Sequence, residues 1–141
     1  MKVLMVCLGN ICRSPLAEGI LKSKKPDWYV DSAGTSNYHI GERPDLRSIE
    51  IARKYNIDIS NQRARQFSRE DFAKFDLILA MDSSNYQNIL KLARSEADKE
   101  KVKLILNYAQ PGLNMAVPDP YYDGGFEKVY QLLNEALDNL V

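Results

Sequence analysis

Cys7 and Arg13 stand at the two ends of one short segment, Cys7-Leu8-Gly9-Asn10-Ile11-Cys12-Arg13-Ser14-Pro15. A thiol and a guanidinium spaced this way suit the capture of, and attack on, a tetrahedral oxyanion. Arg13 offers a planar fork of donors that can take two oxygens of a phosphoryl group together. Gly9 lets the backbone come close to a ligand. With a strand before the segment and a helix after it, the loop turns several N–H groups inward and the helix adds the positive end of its dipole. Those surroundings favour a thiolate at Cys7, which can attack a bound phosphate monoester in line and form a phosphocysteine. Ser14 can donate a hydrogen bond to that thiolate. The leaving oxygen then needs a proton. Asp119, between Pro118 and Pro120 far along the chain, is the candidate acid, and the base toward water in the second step.

The elements that must position these groups are legible as an alternation. Apolar runs at Lys2 to Val6, Trp28 to Val30, Asp76 to Ala80 and Lys101 to Leu106 predict four strands. They are continuous rather than alternating, as a sheet covered on both faces requires. Helix-length segments lie between them. Pro15 marks one start, with Leu16 and Ile20 on a stripe, and Pro44-Asp45 opens a second helix carrying Leu46, Ile49 and Ala52. Ser68 with Asp71 resembles a capping box, and Asp82 can cap a helix bearing Tyr86, Ile89, Leu90 and Ala93. Phe126, Val129, Tyr130, Leu133, Leu137 and Leu140 form one face of a last helix. This order predicts an α/β fold: a single domain over residues 1–141, with a doubly wound four-stranded parallel sheet, helices on both faces and the phosphate-binding loop after the first strand. Ligands of such sheets bind beyond the carboxyl ends of the strands. Two stretches, Ser32 to Arg43 and Asn107 to Tyr122, follow neither period and should both end near that crevice.

Composition narrows the alternatives. With 141 residues and 45% hydrophobic content, the chain can fill one core. Lys plus Arg and Asp plus Glu number 19 each, so no long-range field favours nucleic acid or a membrane surface. No apolar run approaches the ~20 residues of a membrane span. Val3 to Val6 is also shorter than the roughly 7 to 15 residues of a signal h-region, so the N-terminus reads as mature sequence. Two cysteines, Cys7 and Cys12, make neither a secreted disulfide scaffold nor a zinc site, and point to reduced thiols in the cytoplasm. No cofactor or metal is implied.

Taken together, Cys7 to Ser14, Asp119-Pro120-Tyr121-Tyr122 near the C-terminus, and Asp31-Ser32-Ala33-Gly34-Thr35-Ser36 with Tyr38 resemble the phosphate loop, general-acid loop and variable aromatic loop of the low-molecular-weight protein tyrosine phosphatases. The resemblance covers essentially the whole chain. It implies hydrolysis of phosphotyrosine in proteins and of small aryl phosphates, with Cys7 as nucleophile, Arg13 as transition-state clamp and Asp119 as acid and base. Leu8, Gly9, Asn10, Ile11, Cys12 and Ser14 would surround the phosphate, and Tyr38 and Tyr121 would wall the leaving-group slot. Asn10, Ser14 and Ser36 would support the loop. Inorganic phosphate or another oxyanion would bind as product or inhibitor, and the protein would act as a monomer. Family members often carry Trp where Tyr38 stands, and often a His within the stretch that here reads Asn61 to Gln66.

Other readings compete. Cys12 either lines the loop or, as the resemblance suggests, forms a disulfide with Cys7 under oxidation. Arsenate reductases of this fold use further cysteines downstream, and this chain has none after Cys12. Protein-arginine phosphatases tend to carry Thr where this chain has Ile11, a bulkier side chain that narrows the slot toward flat aryl esters. A phosphate-binding module without chemistry would need neither Cys7 nor Asp119. His39, the sole histidine, reads as an exposed loop residue, and a Cys–His protease would require it to meet Cys7 in space. Tyr121 and Tyr122 read as loop-packing aromatics, and the resemblance adds phosphorylation of the pair. Arg63, Arg65 and Arg69, like Lys22, Lys24 and Lys25, read as solvated surface.

Overall fold

The computed structural model describes residues 1–141. Four parallel strands, β1 (Lys2–Cys7), β2 (Tyr29–Gly34), β3 (Leu77–Ala80) and β4 (Val102–Leu104), lie in the order β2-β1-β3-β4. Side chains alternate across a strand, so an apolar run serves both faces at once. In β1, Val3, Met5 and Cys7 face one buried cluster while Leu4 and Val6 face the other. The larger cluster lies under α1 (Arg13–Lys24), α2 (Leu46–Lys54) and α7 (Phe126–Leu140). The smaller lies under α3 (Glu70–Lys74) and α4 (Ser83–Leu90).

Local sequence accounts for most boundaries. Asp45 caps α2 by accepting from Arg47 N at 2.9 Å, and Asp82 caps α4 by accepting from Asn85 N at 2.8 Å. Only one arm of the box expected before α3 forms, with Ser68 N donating to Asp71 at 2.9 Å. Leu46, read as part of an apolar stripe, is 63% exposed, because α2 packs through Ile49 and Ala52. The second strand runs beyond Val30 to Gly34, into the stretch read as irregular. Its polar Ser32 is buried there and finds partners at Asn10 and Glu18. The fourth strand stops at Leu104 rather than Leu106. Ile105 to Tyr108 wind into a 3₁₀ turn that carries Ile105 and Leu106 round the sheet edge into the larger cluster. Within the stretch Asn107 to Tyr122, a short helix α6 (Pro120–Asp123) begins after Asp119, and the polar α5 (Glu96–Glu100) has no buried residue. No helix is long and apolar enough to cross a membrane.

The register aligns Cys7 with Gly34 and Val6 with Ala80. The segments after all four strands therefore gather at the carboxyl ends of the strands, where the connection after β1 leads to one side of the sheet and that after β3 to the other.

Candidate active site

Neighbouring segments pull the carbonyls of the Cys7–Arg13 loop outward. Cys7 O accepts from Thr35 N at 2.9 Å, and Leu8 O accepts from Ser36 N and Ser36 Oγ, each at 3.0 Å. Ile11 O accepts from Asp45 N at 2.7 Å and Cys12 O from Ser48 Oγ at 3.2 Å. With the carbonyls held on the outside, the amides are left for the inside. α1 adds to this effect, because its N-terminus at Cys12 has no side-chain cap and leaves its first N–H groups for a ligand. β2 comes so close to the loop that a Cβ on Gly34 would lie 2.8 Å from Leu8 O and 3.2 Å from Asn10 N.

Cys7 lies at the floor of this bowl, 3% exposed, with Sγ 3.0 Å from Ser14 Oγ and 3.3 Å from Asn10 N. Arg13, 4% exposed, is held by two acceptors, Asp82 Oδ2 and Val117 O, each 2.9 Å from Nη1. Its guanidinium is thereby oriented by the protein's own acceptors. Above the floor is a cavity of about 220 Å³ lined by Cys7, Arg13, Asp119 and the side chains of Leu8, Ile11, Cys12, Tyr38, His39, Tyr121 and Tyr122. Asp119 enters from the start of α6, where its carboxylate accepts from Tyr121 N at 3.1 Å. A thiol, a guanidinium and a carboxyl thus share one cavity with an aromatic rim, side-chain types that suit the cleavage of an aryl phosphate.

A sequence profile of the low molecular weight phosphotyrosine protein phosphatases matches residues 2–141. The chain belongs to this family. It is similar to the Homo sapiens low molecular weight phosphotyrosine protein phosphatase, with 44% identity covering 92% of this chain and 86% of that protein. Among solved structures it resembles YfkJ from Bacillus subtilis, with 38% identity, a TM-score of 0.92, and 99% and 91% of the two chains covered. It also resembles a Drosophila arginine phosphatase, with 35% identity, a TM-score of 0.89, and 99% and 95% covered.

Within this low molecular weight phosphatase, the structure redistributes several expected roles. Asn10 and Ser14 are buried behind the loop rather than lining the cavity. Asn10 adopts a left-handed φ of 58°, and its amide donates to Ser14 Oγ at 2.8 Å and Ser32 Oγ at 2.9 Å while accepting from Arg65 N at 3.0 Å. Ser36 touches the loop through its hydroxyl, which donates to Leu8 O. His39 is a wall of the cavity, not a free loop residue. Its ring packs on Gly9, where a Cβ would come within 3.0 Å of Cδ2, and its Nδ1 lies 2.9 Å from Glu42 Oε2. The sulfur of Cys7 is bonded to Ser14 and Asn10 instead of to this imidazole. Tyr122, 87% exposed, also reaches the rim. Arg65 is not solvated surface, for it bridges Asp31 and Asp71 at 3.0 to 3.1 Å. Lys22 is half exposed, as read, yet it pairs at 2.6 Å with the buried Glu18. Both cysteines are free, and Cys12 remains a thiol. Burial pushes its pKa up to about 12, with the charges of Asp45, Cys7 and Asp119 adding to the effect.

Sequence reasoning missed Asp82 and Val117 as partners of Arg13. Asp82 was visible only as a helix cap, and a backbone carbonyl leaves no side-chain signal.

Proposed function

We propose that this protein tyrosine phosphatase works through a phosphocysteine intermediate. Cys7 Sγ attacks phosphorus in line, the bond to the leaving oxygen breaks, and that oxygen keeps the electron pair and takes the proton of Asp119. Water then attacks the phosphocysteine, gives its proton to Asp119, and releases inorganic phosphate and the thiolate. Arg13 and the inward amides stabilise the charge on the equatorial oxygens in both steps. The single observation that carries this reading is the shared cavity, with Cys7 at its floor, Arg13 at its side and Asp119 at its rim.

The substrates are phosphotyrosine-containing proteins. Leu8, Ile11, Tyr38 and Tyr121 give the slot flat apolar walls that suit an aryl ester. The similarity to an arginine phosphatase keeps phosphoarginine as the second reading, and turnover of matched phosphotyrosine and phosphoarginine peptides separates the two. We place the protein in the cytoplasm, where Cys7 and Cys12 stay reduced. We read residues 1–141 as one domain acting as a monomer, since every group named in the reaction comes from one chain.

Cys7→Ser tests the mechanism. Turnover of an aryl phosphate should vanish while orthophosphate still binds in a calorimeter. Undiminished turnover rejects the mechanism.

A further inference from the structure

Behind the cavity a line of buried polar groups leads from Cys7 to the opposite surface. Asn10 is its hub. One N–H of its side-chain amide goes to Ser14 Oγ and the other to Ser32 Oγ. Each hydroxyl, having accepted, turns its own hydrogen outward: Ser14 toward Cys7 Sγ at 3.0 Å, Ser32 to Glu18 Oε1 at 2.6 Å. Arg65 N donates to Asn10 Oδ1, which fixes which end of the amide is which. Glu18 lies on α1, 3% exposed, and its other oxygen accepts from Lys22 Nζ at 2.6 Å. Lys22 emerges into a surface cleft lined also by Asp58, Asn61 and Gln62.

We infer that Glu18, neutralised by Lys22, is a positioning residue for the nucleophile. It receives the Ser32 hydroxyl and so sets the Asn10 amide that directs both the Ser14 hydroxyl and the Asn10 backbone N–H onto the Cys7 sulfur. Glu18 is more than a structural ion pair because its placement is costly without such a task. A carboxylate buried beside one half-exposed lysine gives up much of its hydration, and an apolar residue of similar size would fill the same space. Its worth lies in being an acceptor with no hydrogen of its own. A protonated or amide side chain can present a hydrogen to Ser32, whose own hydrogen would then face the Asn10 NH₂, which cannot accept. The charged groups facing Glu18 are Lys22 on its own helix and Asp31 on β2, the latter drawn away by Arg65, while Asp58 shares the cleft into which Lys22 opens. Burial pushes the Glu18 carboxyl above its usual range, and the bonds from Lys22 and Ser32 oppose that push.

The inference rests on Cys7 being the nucleophile, so Cys7→Ser is run in parallel. Glu18→Met removes the acceptor at similar volume and should lower kcat by about tenfold while the fold is kept. Its melting temperature should not fall at neutral pH. A carboxyl with a raised folded-state pKa gives stability at low pH that is lost as pH rises through that value, so its removal relieves a cost there. Lys22→Met leaves the carboxylate without its cation and should move the acid limb of the kcat/KM profile up by about one pH unit. Lys22→Arg should restore the limb, and Glu18→Met with Lys22→Met should behave as Glu18→Met alone. If Cys7→Ser is inactive while Glu18→Met and Lys22→Met keep the wild-type rate and profile, the inference is overturned alone. Turnover surviving in Cys7→Ser overturns it together with the mechanism.

Discussion

Asp82 shows how one side chain can hold two parts of the site in place. Oδ1 caps α4 through Asn85 N, and Oδ2 holds the guanidinium of Arg13. The two tasks can be separated. Asp82→Asn keeps an oxygen for the cap, so urea unfolding should shift by less than about 1 kcal/mol. The neutral amide holds Arg13 less firmly, and kcat/KM should fall by about tenfold. An unchanged kcat/KM would mean that the Val117 carbonyl alone aims Arg13. At this scale the groups proposed to react were legible, because a cysteine, an arginine and a proline-flanked aspartate carry their chemistry in their types. Their holders were not. Asp82 reads as an ordinary cap and His39 as a loop residue, since nothing in the sequence tells that Gly9 leaves room for an imidazole.

Elements with a long apolar pattern were legible for a related reason. β1, β3 and α7 each lie within an apolar run that shows in the sequence, whereas only Val102 to Leu104 of the apolar run Lys101 to Leu106 pair as β4, and α6, four residues long, buries only Pro120. β2 was only partly visible, because beyond Val30 it runs through Asp31, Ser32, Ala33 and Gly34, of which only Ala33 joins an apolar cluster while Ser32 is held by hydrogen bonds to Asn10 and Glu18. Gly34 carries the element-level prediction. A methyl group there meets only backbone, Leu8 O, Gly9 C and Asn10 N, and none of these can rotate aside. Gly34→Ala should therefore push β2 and the phosphate loop apart, with a loss of about 1 to 3 kcal/mol in stability and a parallel loss of kcat/KM. Wild-type activity in this variant would show that the loop tolerates the displacement.

For the whole molecule, the sheet separates two apolar clusters, and the larger is closed by α7. Leu133 on that helix is fully buried, so Leu133→Ala should cost about 2 to 5 kcal/mol in urea unfolding. Activity per folded molecule should persist, because α7 supplies none of the cavity's lining. A loss under about 1 kcal/mol would mean that the cluster collapses around the gap. The fold class was readable at this scale because strand and helix periods alternate from end to end.

The outward tethering of the phosphate loop's carbonyls has one further consequence. Thr35, Ser36, Asp45 and Ser48 hold the shape of the bowl through hydrogen bonds of the protein's own. A receptor set in advance spends little ordering entropy on occupancy. The tethered bowl by itself does not tell an arriving ester from spent orthophosphate, since both present a tetrahedron of oxygens to the same amides. In the proposed reaction the distinction is left to the organic half of the substrate, and the pace of successive cycles is tied to how readily the emptied bowl lets its anion go.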